Sequence, residues 1–188
     1  MFNDIYGLTQ EVLEGRKTMT RRIVNITQHQ YELLCGLHPN APKNLIESII
    51  ADKTRYAIGE VIAIAQRYAD CGNMPDYDID ENGHPIMPRR SGFFNKMFVR
   101  ADLMPHQIRI TGIRAERLQD ISEEDCMKEG IRYIPDIDKY YFERTDRDEG
   151  FYFENPLTAF AALIDKVSGK GTWDKNPYVF VYEFELVK

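Results

Sequence analysis

The chain has 188 residues, of which 43% are hydrophobic and 12% aromatic, a composition that excludes a disordered chain and lets a single domain, 1–188, build a full core. With 24 Lys and Arg against 30 Asp and Glu, the formal net charge is −6, which argues against a general binder of duplex DNA, because that affinity comes from neutralised phosphates. No apolar run approaches the ~20 residues that span a bilayer, so no membrane partner is expected.

Met1-Phe2-Asn3-Asp4 lacks the basic and then apolar pattern of a signal peptide. A short helix follows, with Thr9 as its cap, Leu8 and Leu13 as a hydrophobic staple, and Gly15 as its stop. The densest basic segment comes next, Arg16-Lys17-Thr18-Met19-Thr20-Arg21-Arg22. Residues 28–52 read as partly helical, with Leu45, Ile46, Ile49 and Ile50 at helical spacing. Val61 to Ile64 reads as a strand buried on both faces. An Asp-, Gly- and Pro-rich surface excursion covers 70–92. Phe98–Arg100 and His106–Arg117 read as two more strands, the second interrupted by Arg109, Thr111 and Gly112.

Ile121-Ser122-Glu123-Glu124-Asp125 is a helix start, with Ser122 as cap, and Gly130 is its expected stop. The aromatic excursion 132–155 sets Tyr140, Tyr141 and Phe142 against Phe151, Tyr152 and Phe153 across a polar turn, which predicts a hairpin. Asn155-Pro156 opens a helix whose apolar stripe is Leu157, Phe160, Ala161, Ile164 and Val167, ended by Gly169. Tyr178–Val187 closes the chain as a long strand. This mixture of strands and helices predicts an α+β fold with a small mixed or antiparallel β-barrel decorated by helices.

Three separated cysteines, Cys35, Cys71 and Cys126, fit a reducing, cytoplasmic setting rather than a disulfide framework. Cys35 and His38 form only half of a zinc site, and structural zinc takes four ligands. The run Asp78-Ile79-Asp80-Glu81-Asn82-Gly83 starts like a calcium loop, but Arg89 stands where the closing Glu belongs, so Asn82-Gly83 is read as a tight hairpin turn. No metal or other cofactor is expected.

Two constellations can carry chemistry. In the basic segment, a lysine among cations has its proton weakened, and it can then activate Thr18 or Thr20 as a nucleophile. The competing reading is a solvated basic turn, which spacing alone favours. Glu129 ends a helix, where the dipole disfavours a carboxylate, so burial would suit it to general acid or base work. The competing reading there is an exposed Glu at a helix end.

Taken together, the segments resemble the ASCH family, a branch of the PUA-like superfamily, in its phage and prophage form. Leu13-Glu14-Gly15-Arg16-Lys17-Thr18-Met19-Thr20-Arg21-Arg22 is similar to the family's "LxGRKTxTRR". Tyr56-Ala57-Ile58-Gly59-Glu60-Val61-Ile62 stands where relatives carry a "GDxLWVRE"-like strand, with Ala63 in place of Trp and Ala65-Gln66 in place of Arg-Glu. Arg109–Asp125, running into Glu129-Gly130-Ile131, and Thr172–Phe184 complete the match.

The resemblance implies a PUA-like barrel with a cleft beside the first helix. It also implies an amidohydrolase set, Lys17, Thr20 and Glu129, acting on an N-acylated cytidine, with Arg16, Thr18, Arg21, Arg22 and Arg109 as contacts to a modified nucleoside or RNA. The alternatives are a non-catalytic nucleic-acid binder and a protein-interaction module of a mobile element.

Overall fold

The two longest β patterns in the sequence become the two central strands. A computed structural model describes residues 2–24, 50, 53–73, 75, 80–84, 86 and 92–187. In it β1 (Met19–Ile23), β2 (Val61–Ala63), β3 (Gln107–Arg117) and β7 (Tyr178–Val187) form an antiparallel sheet in the order β1-β7-β3-β2. The sheet curls into a half-barrel within an α+β fold.

β3 pairs with β7 from Gln107↔Val187 to Arg117↔Tyr178, and one irregularity decides which side chains go where. The register shifts between Ile110 and Gly112, so Thr111 is an extra residue in β3. Side chains alternate along a strand, so an extra residue swaps the faces beyond it. Ile108 and Ile110 before the bulge therefore share a face with Ile113 and Ala115 after it, across from Phe184, Tyr182 and Phe180. Arg114 and Glu116 take the other face. A Cβ at Gly112 would lie 2.9 Å from Glu183 Oε2, so a larger residue at the bulge would make the Glu183 side chain move.

Each face builds its own core. Ile64, Ile108, Ile110, Tyr182 and Phe184 pack with Val12 on one side. Met19, Val179 and Val181 pack on the other with Leu118, Cys126 and Phe160. That second side is covered by α3 (Glu123–Lys128) and α4 (Pro156–Ser168).

The aromatic excursion forms a second sheet. Tyr140, Tyr141 and Phe142 pair with Phe153, Tyr152 and Phe151, joining β5 (Lys139–Arg144) to β6 (Glu149–Phe153) as expected, and β4 (Arg132–Ile134) adds a third strand. Among the described residues, further helices are α1 (Leu8–Leu13), α2 (Tyr68–Cys71) and α5 (Thr172–Lys175). Among the described residues, no helix is long and apolar enough to cross a membrane.

Several local expectations are corrected. Gly7, in a left-handed conformation, caps α1 instead of Thr9. The Thr9 hydroxyl donates to Asp4 Oδ1 at 2.7 Å and accepts from Lys96 Nζ at 2.6 Å. Val61 is exposed because β2 is an edge strand, so that strand is not buried on both faces. Phe98–Arg100 is no strand: Phe98 has φ +62, and a 3-10 turn follows at Ala101–Leu103.

The buried stripe of α4 is Ala159, Phe160, Leu163 and Ile164, with the expected Leu157 and Val167 partly buried against the same core; Ala161 is the expected residue that does not pack there. Its Asn155 cap is as expected, accepting from Thr158 N at 2.8 Å. Asn82-Gly83 does sit in a turn closed by Gly83 N to Asp80 O. The expectations for Leu45, Ile46, Ile49, Cys35, His38 and Arg89 lie outside the described residues. Ile50 is described and fully buried.

Candidate functional site

The site begins at the end of α1. Gly15 takes a left-handed turn at φ +73, and the amides of Arg16 and Lys17 both donate to Glu11 O, at 3.0 and 2.9 Å. This turn sends the Arg16 side chain outward and the Lys17 side chain inward. Lys17 reaches the end of α3, where Gly130 at φ +104 stops the helix and leaves Glu129 as its last capping residue.

Lys17 Nζ donates to Glu129 Oε2 at 2.6 Å and to Glu129 O at 2.7 Å. The side chain of Lys17 is 1% exposed and that of Glu129 6%. A cation at a helix C-terminus satisfies a carbonyl left without an intrahelical partner and complements the helix dipole. Burial is the largest influence on Lys17 and holds its ammonium below the usual lysine range, against the pull of Glu129. Arg22 and Arg21 push in the same direction as burial.

Glu129 is shared. Arg21 Nη1 donates to Glu129 Oε1 at 3.1 Å, and Arg21 Nη2 donates to Glu116 Oε1 at 2.6 Å and to Asp125 Oδ2 at 3.0 Å. Arg114 extends the cluster to Glu116 Oε2 at 2.9 Å, to Asp125 Oδ2 at 2.5 Å and to Glu183. Three cations, Lys17, Arg21 and Arg114, thus meet four carboxylates, Glu116, Asp125, Glu129 and Glu183. The cluster carries no positive excess for a phosphate. The Arg21 guanidinium also lies over the Phe160 ring at 5.9 Å.

A cleft of about 520 Å³ opens on this cluster. Lys17, Thr20, Arg21, Arg22 and Glu129 line it, with Phe160, Leu163 and Ile164 of α4 as one wall and Phe2 as another. Phe2 is held by ring contact with Phe184, with centroids 5.6 Å apart, and by the N-terminal segment, which Lys96 Nζ ties down through Asp4 Oδ1 at 2.5 Å. Thr20 and Arg22 alternate with Arg21 along β1, the other edge strand of the sheet, so the cleft wraps around that edge.

The expected residues separate into two groups. Lys17, Thr20, Glu129, Arg21 and Arg22 share the cleft. Arg16, Thr18 and Arg109 are not among its lining residues. Arg16 is exposed and bound to Glu11 at 2.6 Å and to Glu14. Thr18 contributes its backbone, donating to Lys128 O and accepting from Phe184 N. Arg109 is exposed toward the end of β3 that lies away from the cleft, paired with Glu185 at 2.8 Å.

Sequence reasoning missed Glu116 and Arg114 as partners of the site, because only the bulge at Thr111 turns them toward Arg21. It also missed Lys96. Burial pushes the Cys126 thiol up to about 12, so it offers no nucleophile at neutral pH. Among the described residues no group of His, Cys, Asp and Glu could hold a metal ion. Compared with protein-family models, with curated proteins and with solved structures, the chain matches none.

Proposed function

We propose that the chain is a PUA-like pocket protein of the ASCH type that binds a modified nucleoside and hydrolyses an amide on an N-acylated cytidine. One observation carries this reading: Lys17, buried and 2.6 Å from Glu129, faces a cleft that Thr20 also lines. A lysine whose proton is weakened is suited to accept one from a neighbouring hydroxyl.

In the proposed reaction, Thr20 Oγ adds to the amide carbonyl carbon while Lys17 Nζ takes the hydroxyl proton. The C–N bond then breaks, and the proton passes through Lys17 and Glu129 to the leaving amine. Water hydrolyses the resulting threonine ester, releasing the carboxylic acid and restoring Thr20. Arg21 is saturated by Glu116, Asp125 and Glu129, so its part is to hold Glu129 in place rather than to bind substrate. The cluster's lack of positive excess favours a neutral base and amide over a chain of phosphates.

The test is release of cytidine from a panel of acylated cytidines by the purified protein, with Lys17→Ala as control. Release that disappears in the control supports the reading, and no release even at high protein concentration removes it. A second reading, a non-catalytic RNA binder, is favoured by exposed Arg22, which lies over the Phe2 ring at 5.9 Å on the cleft wall. A cation beside an aromatic ring is how single strands are held. That reading expects a salt-dependent affinity that Arg22→Ala weakens.

A further inference from the structure

The large cleft has a small neighbour. A second cavity of about 70 Å³ lies on the other face of β1, and Phe2, Thr20 and Arg22 belong to the walls of both. The two differ in chemistry. The floor of the cleft carries Lys17, Arg21 and Glu129. The walls particular to the small cavity are apolar or aromatic, among them Tyr56, Ile62, Ala65, Tyr182 and Phe184. Tyr56 stands edge-on to Tyr182, with centroids 5.4 Å apart. Thr20, opposite Tyr182 in the register, stands where the polar and apolar compartments meet.

We infer that the small cavity is the acyl subsite: it receives the hydrocarbon tail of the amide, while the charged cleft receives the polar base, so that the scissile carbonyl falls at Thr20. This rests on the proposed amidohydrolase reading and adds a specificity to it. A cavity of about 150 Å³ holds a benzene ring. One of about 70 Å³ takes a chain of two to four carbons and rejects an aromatic acyl group. Each methylene buried there strengthens binding about fourfold until the space is filled.

Ile62 and Tyr56 set the limit. Ile62 sits opposite Ile108 in the register and packs at the edge of that apolar cluster, so its side chain is on the cavity face. Both residues are half-buried, one on a three-residue edge strand and the other in a loop, so substitution leaves the central β3–β7 pair intact.

The experiment measures binding by calorimetry and kcat/KM for cytidine and its N-acetyl, N-butyryl and N-benzoyl derivatives. It uses the full chain, Ile62→Phe, which fills the cavity, and Tyr56→Ala, which enlarges it. The expected result is butyryl at or above acetyl, with benzoyl at least tenfold below. Ile62→Phe lowers the butyryl-to-acetyl ratio at least tenfold, and Tyr56→Ala raises benzoyl. Turnover with a chain-length ranking that neither variant changes overturns the subsite and leaves the amidohydrolase standing. Binding that follows chain length and responds to the variants, without turnover, keeps the subsite and overturns the hydrolase. Neither binding nor turnover overturns both.

Discussion

Two buried glutamates in this molecule have nearly the same surroundings and different uses. Glu11 in α1 and Glu129 at the end of α3 are each almost wholly buried, and each meets two cations. Glu11 is held by Arg16 and Arg132, and Arg132 also donates to Tyr141 OH at 3.0 Å. Glu129 is held by Arg21 and Lys17. The difference is the lysine and the cleft. Arginine does not give up its proton in a protein, whereas a buried lysine does. The Glu11 cluster is therefore a clamp that joins α1 to the strand β4, and the Glu129 cluster can exchange a proton with something in the cleft.

Removing the carboxylates tests the contrast most strongly. Glu129→Ala leaves Lys17 and Arg21 facing each other in a buried place, so a loss of about 3–5 kcal/mol in chemical denaturation is expected. Glu11→Ala is expected to lose less, because Arg16 is already exposed and can turn to water.

The next test is of the cation. Lys17→Arg keeps the charge but removes the ability to give up a proton. Turnover of acylated cytidine is expected to fall about a hundredfold or more. Arg132→Lys at the Glu11 clamp is expected to leave kcat unchanged and to lower stability by about 1 kcal/mol, measured by thermal unfolding.

The smallest effect is in the pH dependence, where the two clusters have opposite signs. Burial alone would raise the Glu11 carboxyl, but hydrogen bonds from Arg16 and Arg132 win and hold it below its ordinary 4.5. Its contribution is thus fully present above about pH 4.5 and is lost as pH falls through its lower folded value. Glu11→Gln should flatten that part of an acid unfolding curve.

Lys17 is held below its ordinary 10.5 by burial. The unfolded chain binds its proton more tightly, so Lys17 detracts from stability at neutral pH. Stability then recovers as pH rises from its folded value toward 10.5. Lys17→Met should remove that alkaline slope. A group that detracts from the fold it sits in is what a working site contains and a clamp does not.

The sequence made part of this visible. Ser122 and Asn155 cap their helices where local chemistry puts them, and the paired aromatics of 140–153 announce their hairpin register. These signals are local and need no knowledge of the rest of the fold. Lys17, Thr20 and Glu129 were legible as candidates from motif and helix-end chemistry. Their meeting was not, because 112 residues separate Lys17 from Glu129.

Arg109 stands out as a cation inside a strand pattern, and it shares a face with Arg114 and Glu116, but it lies toward the far end of β3, exposed and paired with Glu185. Arg114 and Glu116, past the bulge, reach the site instead. On α4 the periodicity of apolar residues picks out Leu157, Phe160, Ile164 and Val167 but puts Ala161 in place of Ala159 and Leu163, because alanines and leucines on neighbouring faces are equally apolar in the sequence.

Thr111 gives a different view of this chain's tolerance to change. It is exposed, so its side chain is nearly free to vary. Its presence as a spacer is another matter. Deleting that one residue, with the rest of β3 left in line, would swing Ile113 and Ala115 onto the ionic face and Arg114 and Glu116 into the apolar one. For substitutions the position is among the most permissive in the molecule, and for deletions among the least. Drift in this strand would therefore alter the letter at 111 and keep the count.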